Sequence, residues 1–213
     1  MDLLNKKQRG EKITQITAYD YPVAQLIDKS KIDMILVGDS LGMVVLGYEN
    51  PVPVTVDDII HHTKPVVRGA KNAFIVGDLP YLSYHISIED TIRNAGRIIQ
   101  EGGADAVKLE GGREMSQKVR ALVDVWIPVQ GHIGLMPQRA TVFGGINVQG
   151  TKAESAANIL EDAIALEEAG AFSVVLEYVA AEAAGIITEK INIPTIGVGA
   201  GPLCDGQVLV IHD

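Results

Sequence analysis

Cysteines, aromatic residues and long apolar runs are scarce in this sequence. Cys204 is the single cysteine, so an internal disulfide is excluded and a reducing compartment is the simplest expectation. No apolar run approaches the roughly 20 residues that span a bilayer, and the polar start "MDLLNKKQRGEK" has no secretion-signal core. These absences predict a soluble cytoplasmic protein with no membrane partner.

Basic residues are a minority. The chain has 18 Lys and Arg against 27 Asp and Glu, a formal net charge of −9. Binding to a phosphate backbone calls for clustered basic side chains, so nucleic acid is not expected as a partner. Hydrophobic residues make up 47% of the chain and aromatics only 5%, with 22 glycines, which favours an α/β protein with an aliphatic core over a β-sandwich.

Short apolar runs bounded by Gly, Pro or Asp recur along the whole chain. Eight such runs occupy residues 13–20, 32–40, 73–80, 105–112, 126–134, 172–178, 193–201 and 208–213. Most lack polar alternation, as expected for parallel strands that are covered on both faces. Helical patterns separate them, so residues 1–213 are predicted to form a single (β/α)8 barrel domain, in preference to an open doubly wound sheet.

Three helix starts are marked by a hydroxyl residue with an acid three positions later. The pairs are Thr55 with Asp58, Ser87 with Asp90, and Thr151 with Glu154. This spacing is typical of capping boxes, and Gly170 suits the end of the helix that the third pair begins.

The end of the predicted barrel is unusual in two ways. Only "AGPLCDGQ" joins the seventh and eighth strands, which is shorter than the dozen or so residues of an ordinary parallel crossover. No closing helix follows the eighth strand in this chain. We expect either a further segment or a partner subunit to cover that face.

Polar side chains follow the ends of five predicted strands. In chain order these candidates are Asp39, Ser40, Asp78, Lys108, Glu110, His132 and Glu177. Because active sites of (β/α)8 barrels lie at the carboxyl ends of the strands, the seven are expected to meet at one mouth. Lys108 and Glu110 share a face of their strand because side chains repeat with a period of two.

Three of the four carboxylates among these candidates predict a metal site. Asp39, Asp78 and Glu110 would repel each other unless a cation lay among them. Oxygen ligands suit a hard cation such as Mg²⁺, which keeps open positions for water and a chelating 2-oxo acid. Lys108 would then neutralise the substrate carboxylate, and Glu177 could remove a proton to form a metal-stabilised enolate.

Each candidate alone has an ordinary structural explanation. An Asp after a strand is often a turn or cap residue, His132 could be a hydrogen-bonded core histidine, and Glu177 could be a surface carboxylate. The set as a whole would require four buried charges with no purpose, which favours a functional site.

Long motifs around these residues resemble one enzyme family. The segments "ILVGDSLG", "VGDLPYLSY", "VKLEGG", "VQGHIGLMPQ" and "VGAGPLCDGQVLVIHD" are similar to those of ketopantoate hydroxymethyltransferases, and the resemblance covers nearly the whole chain.

The resemblance implies a fold, an activity and partners. They are a (β/α)8 barrel of the phosphoenolpyruvate/pyruvate type, one Mg²⁺ per subunit and a homo-oligomer, typically a homodecamer. The implied reaction transfers a hydroxymethyl group from the co-substrate 5,10-methylenetetrahydrofolate to 3-methyl-2-oxobutanoate, giving 2-dehydropantoate on the route to pantothenate and coenzyme A.

The resemblance also implies roles for individual residues. Asp39, Asp78 and Glu110 resemble the metal-binding acids, and the two aspartates also resemble substrate contacts. Ser40, Lys108 and His132 resemble further substrate-binding residues, and Glu177 resembles the proton acceptor. Two positions depart from the family pattern, since Ala180 replaces a usual proline and Met136 replaces a common threonine.

Two other functions are compatible with the same residues. A lyase or phosphomutase of the same barrel group would also bind a metal and a 2-oxo acid. Its third reactant would differ from methylenetetrahydrofolate. A non-catalytic barrel that binds a small acid would show neither turnover nor dependence on a divalent ion.

Overall fold

The strands close into one parallel barrel in chain order, from β1 to β8. A computed structural model describes residues 3–139 and 147–213. Each strand pairs in parallel with the next, and β8 closes the ring by pairing with β1. The strands are β1 Ile13–Thr17, β2 Met34–Val37, β3 Phe74–Asp78, β4 Ala106–Glu110, β5 Val129–Gly134, β6 Ser173–Glu177, β7 Thr195–Val198 and β8 Gly206–Leu209. The predicted (β/α)8 barrel is confirmed, and each of the eight apolar runs contains or overlaps a strand.

Helices surround the barrel. They are α1 Leu3–Gln8, α2 Tyr21–Lys29, α3 Leu41–Val44, α4 Val56–Gly69, α5 Ile88–Arg97, α6 Ser116–Asp124, α7 Ala153–Glu168 and α8 Ala181–Lys190. A π-helical turn, Ile98–Gly102, extends α5, and 3-10 turns span Arg113–Met115 and Pro137–Arg139. No helix among the described residues combines the length and the apolar composition needed to cross a bilayer.

Two of the three predicted helix starts are confirmed. Thr55 and Asp58 form a reciprocal capping box at α4, and the Ser87 hydroxyl accepts the backbone N–H of Asp90 at α5. The third prediction is wrong by one residue, because α7 begins after Lys152. The Ser155 hydroxyl accepts the Lys152 backbone N–H there, so the capping role falls on Ser155 rather than on Glu154.

The short connection between β7 and β8 contains no helix. Gly199 and Gly201 both adopt positive φ, +61° and +75°, which lets the chain turn sharply after β7. Asp205 then fixes the return, since its carboxylate accepts the Thr195 backbone N–H at 2.9 Å and pairs with Lys7 at 2.9 Å. The short connection that the sequence indicated is therefore confirmed. The hydrogen bond and the ion pair of Asp205 hold it in place.

The interior of the barrel is apolar at one end and polar at the other. An inner cluster includes Val76, Ala106 and Val175, on β3, β4 and β6. The next side chains on the same faces, two residues further along, are Asp78, Lys108 and Glu177. On the inner face of each of these strands, one side chain therefore belongs to the core and the next, at the carboxyl end, belongs to the predicted site.

Candidate active site

The buried charged residues of the described chain coincide with the predicted site. Within residues 3–139 and 147–213, the only buried Asp or Glu side chains are Asp39, Asp78 and Glu110. Lys108 is the only buried Lys or Arg in the same ranges, and His132 is the only buried His. A charge is rarely buried without a partner, so this concentration at one mouth indicates a built site.

The register of the sheet brings residues that are distant in sequence next to each other. Asp78 pairs with Lys108 across β3 and β4, and Glu110 pairs with His132 across β4 and β5. Glu177 is the last residue of β6, while Asp39 and Ser40 lie in the turn after β2. Six of the seven predicted residues are joined by contacts, and Ser40 is attached through its neighbour Asp39.

Lys108 and Asp78 form the central ion pair. Lys108 Nζ lies 3.0 Å from Asp78 Oδ1, and Asp78 Oδ2 accepts the Asp39 backbone N–H at 3.1 Å. Burial by itself lowers the pKa of Lys108, but attraction to Asp78, Asp39 and Glu110 outweighs burial and raises it above its usual range. Lys108 therefore stays charged at any physiological pH.

Too little positive charge lies near the other two buried carboxylates, Asp39 and Glu110. Burial, reinforced by the charge of Asp78, raises the pKa of Asp39 to about 7. Burial and the charge of Asp39 also raise the pKa of Glu110 well above its usual range. One lysine among three buried carboxylates leaves a deficit that a divalent cation would offset.

A hard cation fits the donor set at this mouth. Asp78 Oδ1 is a buried oxygen with no well-aligned hydrogen-bond partner in the described chain, although Lys108 is close. No group of three or more His, Cys, Asp or Glu side chains in residues 3–139 and 147–213 is arranged so that it could hold a metal ion alone. A metal here would need ligands from substrate or water, which is usual for Mg²⁺. The ligand set Asp39, Asp78 and Glu110 stays a prediction.

His132 connects the carboxylate cluster to Glu177. Its Nδ1 lies 3.3 Å from Lys108 Nζ and 3.6 Å from Glu110 Oε1. Its Nε2 lies 3.1 Å from Glu177 Oε2, without the alignment of a good hydrogen bond. An ammonium has no acceptor, so the bond from Lys108 places a lone pair on Nδ1 and the proton of the neutral ring on Nε2, facing Glu177.

Glu177 is the most accessible of the charged groups. Its side chain is 20% exposed, against 1% for Asp78 and 1% for Glu110. The backbone around it is constrained, because Tyr178 has a φ of +48° and Gly134, its partner on β5, has a φ of +95°. The Glu177 carboxylate is thus partly exposed, and the backbone beside it, at Tyr178 and Gly134, has an unusual conformation.

The two departures from the family pattern lie close to this backbone. Ala180 has a φ of −53°, close to the value that a proline ring imposes. Its N–H, which proline lacks, donates to Gln149 O at 2.9 Å. Met136 lies in the turn after β5, where its carbonyl accepts the Arg139 N–H at 2.9 Å. Both residues therefore take part in backbone hydrogen bonds beside the strands that carry His132 and Glu177.

Ser40 has a different partner from the other candidates. Its hydroxyl lies 2.7 Å from the Tyr19 hydroxyl, at the edge of the carboxylate cluster. A role in substrate binding stays a prediction for Ser40.

Sequence reasoning missed two buried residues of the site, Gln138 and Tyr84. Gln138 Nε2 donates to Asp39 Oδ2 at 2.8 Å, and the Tyr84 hydroxyl donates to Gln138 Oε1 at 2.8 Å. Burial and the charge of Glu110 raise the pKa of Tyr84 above its usual range, so the phenol keeps its proton. Both residues stand inside the quoted motifs, as the last letters of "VQGHIGLMPQ" and "VGDLPYLSY". Their place in those motifs was the available signal.

Two bacterial relatives have similar sequences over nearly the whole chain. The 3-methyl-2-oxobutanoate hydroxymethyltransferase of Syntrophomonas wolfei is 60% identical over 211 residues, which cover 99% of this chain and 76% of the relative. That of Heliobacterium modesticaldum is 60% identical over 207 residues, covering 97% of this chain and 75% of the relative.

A solved structure with little sequence identity shares the fold. Phosphonopyruvate hydrolase, crystallised with oxalate and Mg²⁺, superposes with a TM-score of 0.73 at 12% identity, over 99% of this chain and 79% of the hydrolase chain. The likeness shows that the two proteins share the (β/α)8 barrel fold.

A family model settles which enzymes these residues belong with. The model described as ketopantoate hydroxymethyltransferase matches residues 1–213, in agreement with the two relatives. The resemblance read from the motifs is confirmed, and the alternative of a non-catalytic barrel is not supported. The chain belongs to the ketopantoate hydroxymethyltransferase family.

Proposed function

We propose that the mouth of the barrel binds 3-methyl-2-oxobutanoate together with one Mg²⁺ per subunit and takes the hydroxymethyl carbon from 5,10-methylenetetrahydrofolate. The product would be 2-dehydropantoate. The observation that carries the proposal is the coincidence of every buried carboxylate and the one buried ammonium of the described chain at this mouth. A 2-oxo acid offers the matching chemistry, with a carboxylate for the ammonium and a chelating pair of oxygens for a metal.

Asp39, Asp78 and Glu110 are the residues proposed to hold the metal. When bound, a divalent cation supplies Lewis acidity that polarises the keto group of the substrate and lowers the energy of the enolate. The Mg²⁺ in the phosphonopyruvate hydrolase structure is compatible with this choice for a barrel of the same fold.

Lys108 is proposed to bind the substrate carboxylate. An ammonium has three N–H donors; that of Lys108 bonds to His132 Nδ1 and lies 3.0 Å from Asp78 Oδ1 in an ion pair. Even if one N–H serves each of these groups, a third is left for an anionic oxygen of the substrate. Ser40, in the turn that carries Asp39, is proposed as a neighbouring donor.

Glu177 is proposed as the general base. Its carboxylate would accept the proton from C3 of the substrate, and the electron pair of that C–H bond becomes the enolate π-bond. The enolate carbon would then form a C–C bond to the methylene carbon of the folate as one of its two C–N bonds breaks, and that nitrogen takes up a proton. Water would displace the second nitrogen, which also takes up a proton, so that the carbon leaves as a hydroxymethyl group and tetrahydrofolate is released. The 20% exposure of the Glu177 side chain is consistent with a base that must meet a third reactant. His132, 3.1 Å away, would orient the carboxylate.

Assays with and without the folate donor and EDTA test this function. Mass spectrometry should detect 2-dehydropantoate only when 3-methyl-2-oxobutanoate, methylenetetrahydrofolate and a divalent ion are all present. Turnover of oxaloacetate or phosphonopyruvate without the folate would instead support the lyase or phosphomutase alternative. Full activity in EDTA would contradict the metal.

Two wider expectations stay predictions. The homodecamer rests on the family resemblance, and the cytoplasmic location rests on composition. Sedimentation velocity of the purified chain tests the first.

A further inference from the structure

Gln138 contacts two of the three buried carboxylates, although it lies on no strand. It sits in the 3-10 turn Pro137–Arg139 after β5 and is 2% exposed. Its side-chain Nε2 donates to Asp39 Oδ2 at 2.8 Å, and its backbone N–H donates to Glu110 Oε2 at 3.2 Å. One residue thereby bridges acids that are separated by a large stretch of sequence.

These bonds fix one oxygen of each acid. Gln138 occupies Oδ2 of Asp39 and Oε2 of Glu110, and the Asp39 backbone N–H occupies Oδ2 of Asp78. Each carboxylate is therefore held by an N–H at one of its oxygens. The second oxygen of Asp78 faces the Lys108 ammonium, and that of Glu110 lies 3.6 Å from His132 Nδ1.

Tyr84 fixes which way the Gln138 amide points. Its hydroxyl donates to Gln138 Oε1 at 2.8 Å and accepts the Glu110 backbone N–H at 3.2 Å. Reversing the amide would set an NH₂ group against the Tyr84 proton and a carbonyl against the Asp39 carboxylate. The amide nitrogen also donates to Leu79 O at 3.0 Å, which further favours the observed orientation.

The amide is suited to this place because it is neutral. A lysine or arginine there would donate equally well, but its charge would offset the negative charge that attracts a metal. The glutamine amide holds Asp39, the backbone N–H of the same residue holds Glu110, and neither bond changes the charge of the acids.

We infer that Gln138, oriented by Tyr84, is a positioning residue that presents Asp39 and Glu110 to the divalent cation. This inference rests on the proposed function, because it assumes that a metal binds at the mouth. Outer-shell partners of this kind typically account for about 10–100-fold in metal affinity or activity.

The test compares two identical substitutions of buried glutamines. Gln138→Met removes the amide and keeps the backbone N–H and the chain length. Gln130→Met is the matched control, since Gln130 is also buried on β5 but bonds to Gln15 and Ser173 in the barrel interior. Mn²⁺ affinity is measured by electron paramagnetic resonance on the full chain without substrate, alongside thermal stability and kcat.

Gln138→Met should weaken Mn²⁺ binding by about 10–100-fold, while Gln130→Met should lose stability with Mn²⁺ affinity unchanged. Tyr84→Phe should weaken Mn²⁺ binding in the same direction by a smaller factor, and it serves as the readout if Gln138→Met fails to fold. Wild-type affinity in Gln138→Met, or in Tyr84→Phe where only that variant folds, overturns the inference alone. Absence of Mn²⁺ binding by the wild-type protein overturns both the inference and the proposed metal site.

Discussion

Lys108 on β4 and Asp78 on β3 form an ion pair of 3.0 Å in which the two side chains are only 5% and 1% exposed. Taking both charges out of water carries a large desolvation penalty, which a lone pair of this kind offsets only in part. The pair is therefore poor evidence of selection for stability. Its position among the other buried acids explains it better as part of a binding site.

Removal of the lysine should destabilise the fold. Lys108→Met leaves Asp78 buried without its cation, and breaking a buried pair in this way costs about 3–5 kcal/mol. Urea denaturation at neutral pH measures the free energy of unfolding. Arg9→Met is the control, because the Arg9–Glu11 pair is more than half exposed and such pairs contribute about 0–1 kcal/mol. Equal losses in both variants would contradict the buried-pair interpretation.

Glu177→Gln should abolish most of the proton abstraction. Incubation with 3-methyl-2-oxobutanoate and Mg²⁺ in deuterated water, without folate, should exchange the C3 hydrogen in the wild-type protein. The amide cannot accept that proton, so we expect exchange to fall by about 10²–10⁴-fold, as is typical for loss of a general base. Mn²⁺ affinity should be retained, since Glu177 is not among the proposed ligands. Exchange at the wild-type rate would remove Glu177 from its assigned role.

The metal-free protein should become less stable as the pH rises. In the folded state the pKa of Asp39 is raised from 3.8 to about 7, mainly by burial and in addition by the negative charge of Asp78. The folded state thus binds a proton that the unfolded state has lost, and the resulting stabilisation is complete below pH 3.8 and disappears as the pH rises through about 7. The raised pKa of Glu110 acts in the same direction.

Thermal denaturation in EDTA between about pH 5 and pH 8, with Mg²⁺ as the comparison, measures this effect. We expect the melting temperature to fall with pH in EDTA, and to fall less when Mg²⁺ replaces the proton. Asp39→Asn should flatten the slope in EDTA. A melting temperature that rises over this interval in EDTA would contradict the assignment.

The barrel was predictable because eight short apolar runs alternate with helical patterns along the chain. Val-Gly-Asp closes both the second and the third apolar run, and the alternation of Ala106, Lys108 and Glu110 places two charges on one interior face. Such signals lie within single strands, and parallel pairing in chain order does the rest. The start of α7 was less accessible, since Thr151 and Ser155 are both suitable capping residues within about one turn.

Gln138 and Tyr84 were not predicted because each lies several residues beyond the end of its strand, whereas Asp39 and Ser40 follow β2 almost directly. A strand fixes side-chain direction by its period of two, whereas the turns after β3 and β5 have no such period. Their bonds to Asp39 and Glu110 depend on how two loops meet above the barrel. That meeting is a tertiary feature with no local signature beyond the polar letters themselves.

Gly134→Ala should displace the proposed base, Glu177, through its backbone and leave its side chain chemically unchanged. Gly134 ends β5 opposite Glu177 with a φ of +95°, and an added Cβ would lie 2.3 Å from the Glu177 carbonyl oxygen. That carbonyl also accepts the Leu135 N–H at 2.8 Å, so β6 would have to shift where it carries the base. We expect a loss of about 1–3 kcal/mol in stability from backbone strain. A displacement of the base by about 1 Å would reduce kcat by about 10²-fold.

Gly96→Ala separates this effect from the general consequence of adding a methyl group. Gly96 lies in α5, and no atom beyond its own helix turn comes within 4 Å of the place where an added methyl group would lie. Alanine should therefore raise stability there by about 0.5–1 kcal/mol through reduced backbone entropy, with kcat unchanged. Chemical denaturation and steady-state kinetics of both variants give the values needed. If Gly134→Ala kept wild-type kcat while losing stability, the contact between Gly134 and the Glu177 carbonyl would serve only the fold. The backbone at Gly134 would then not be what positions Glu177.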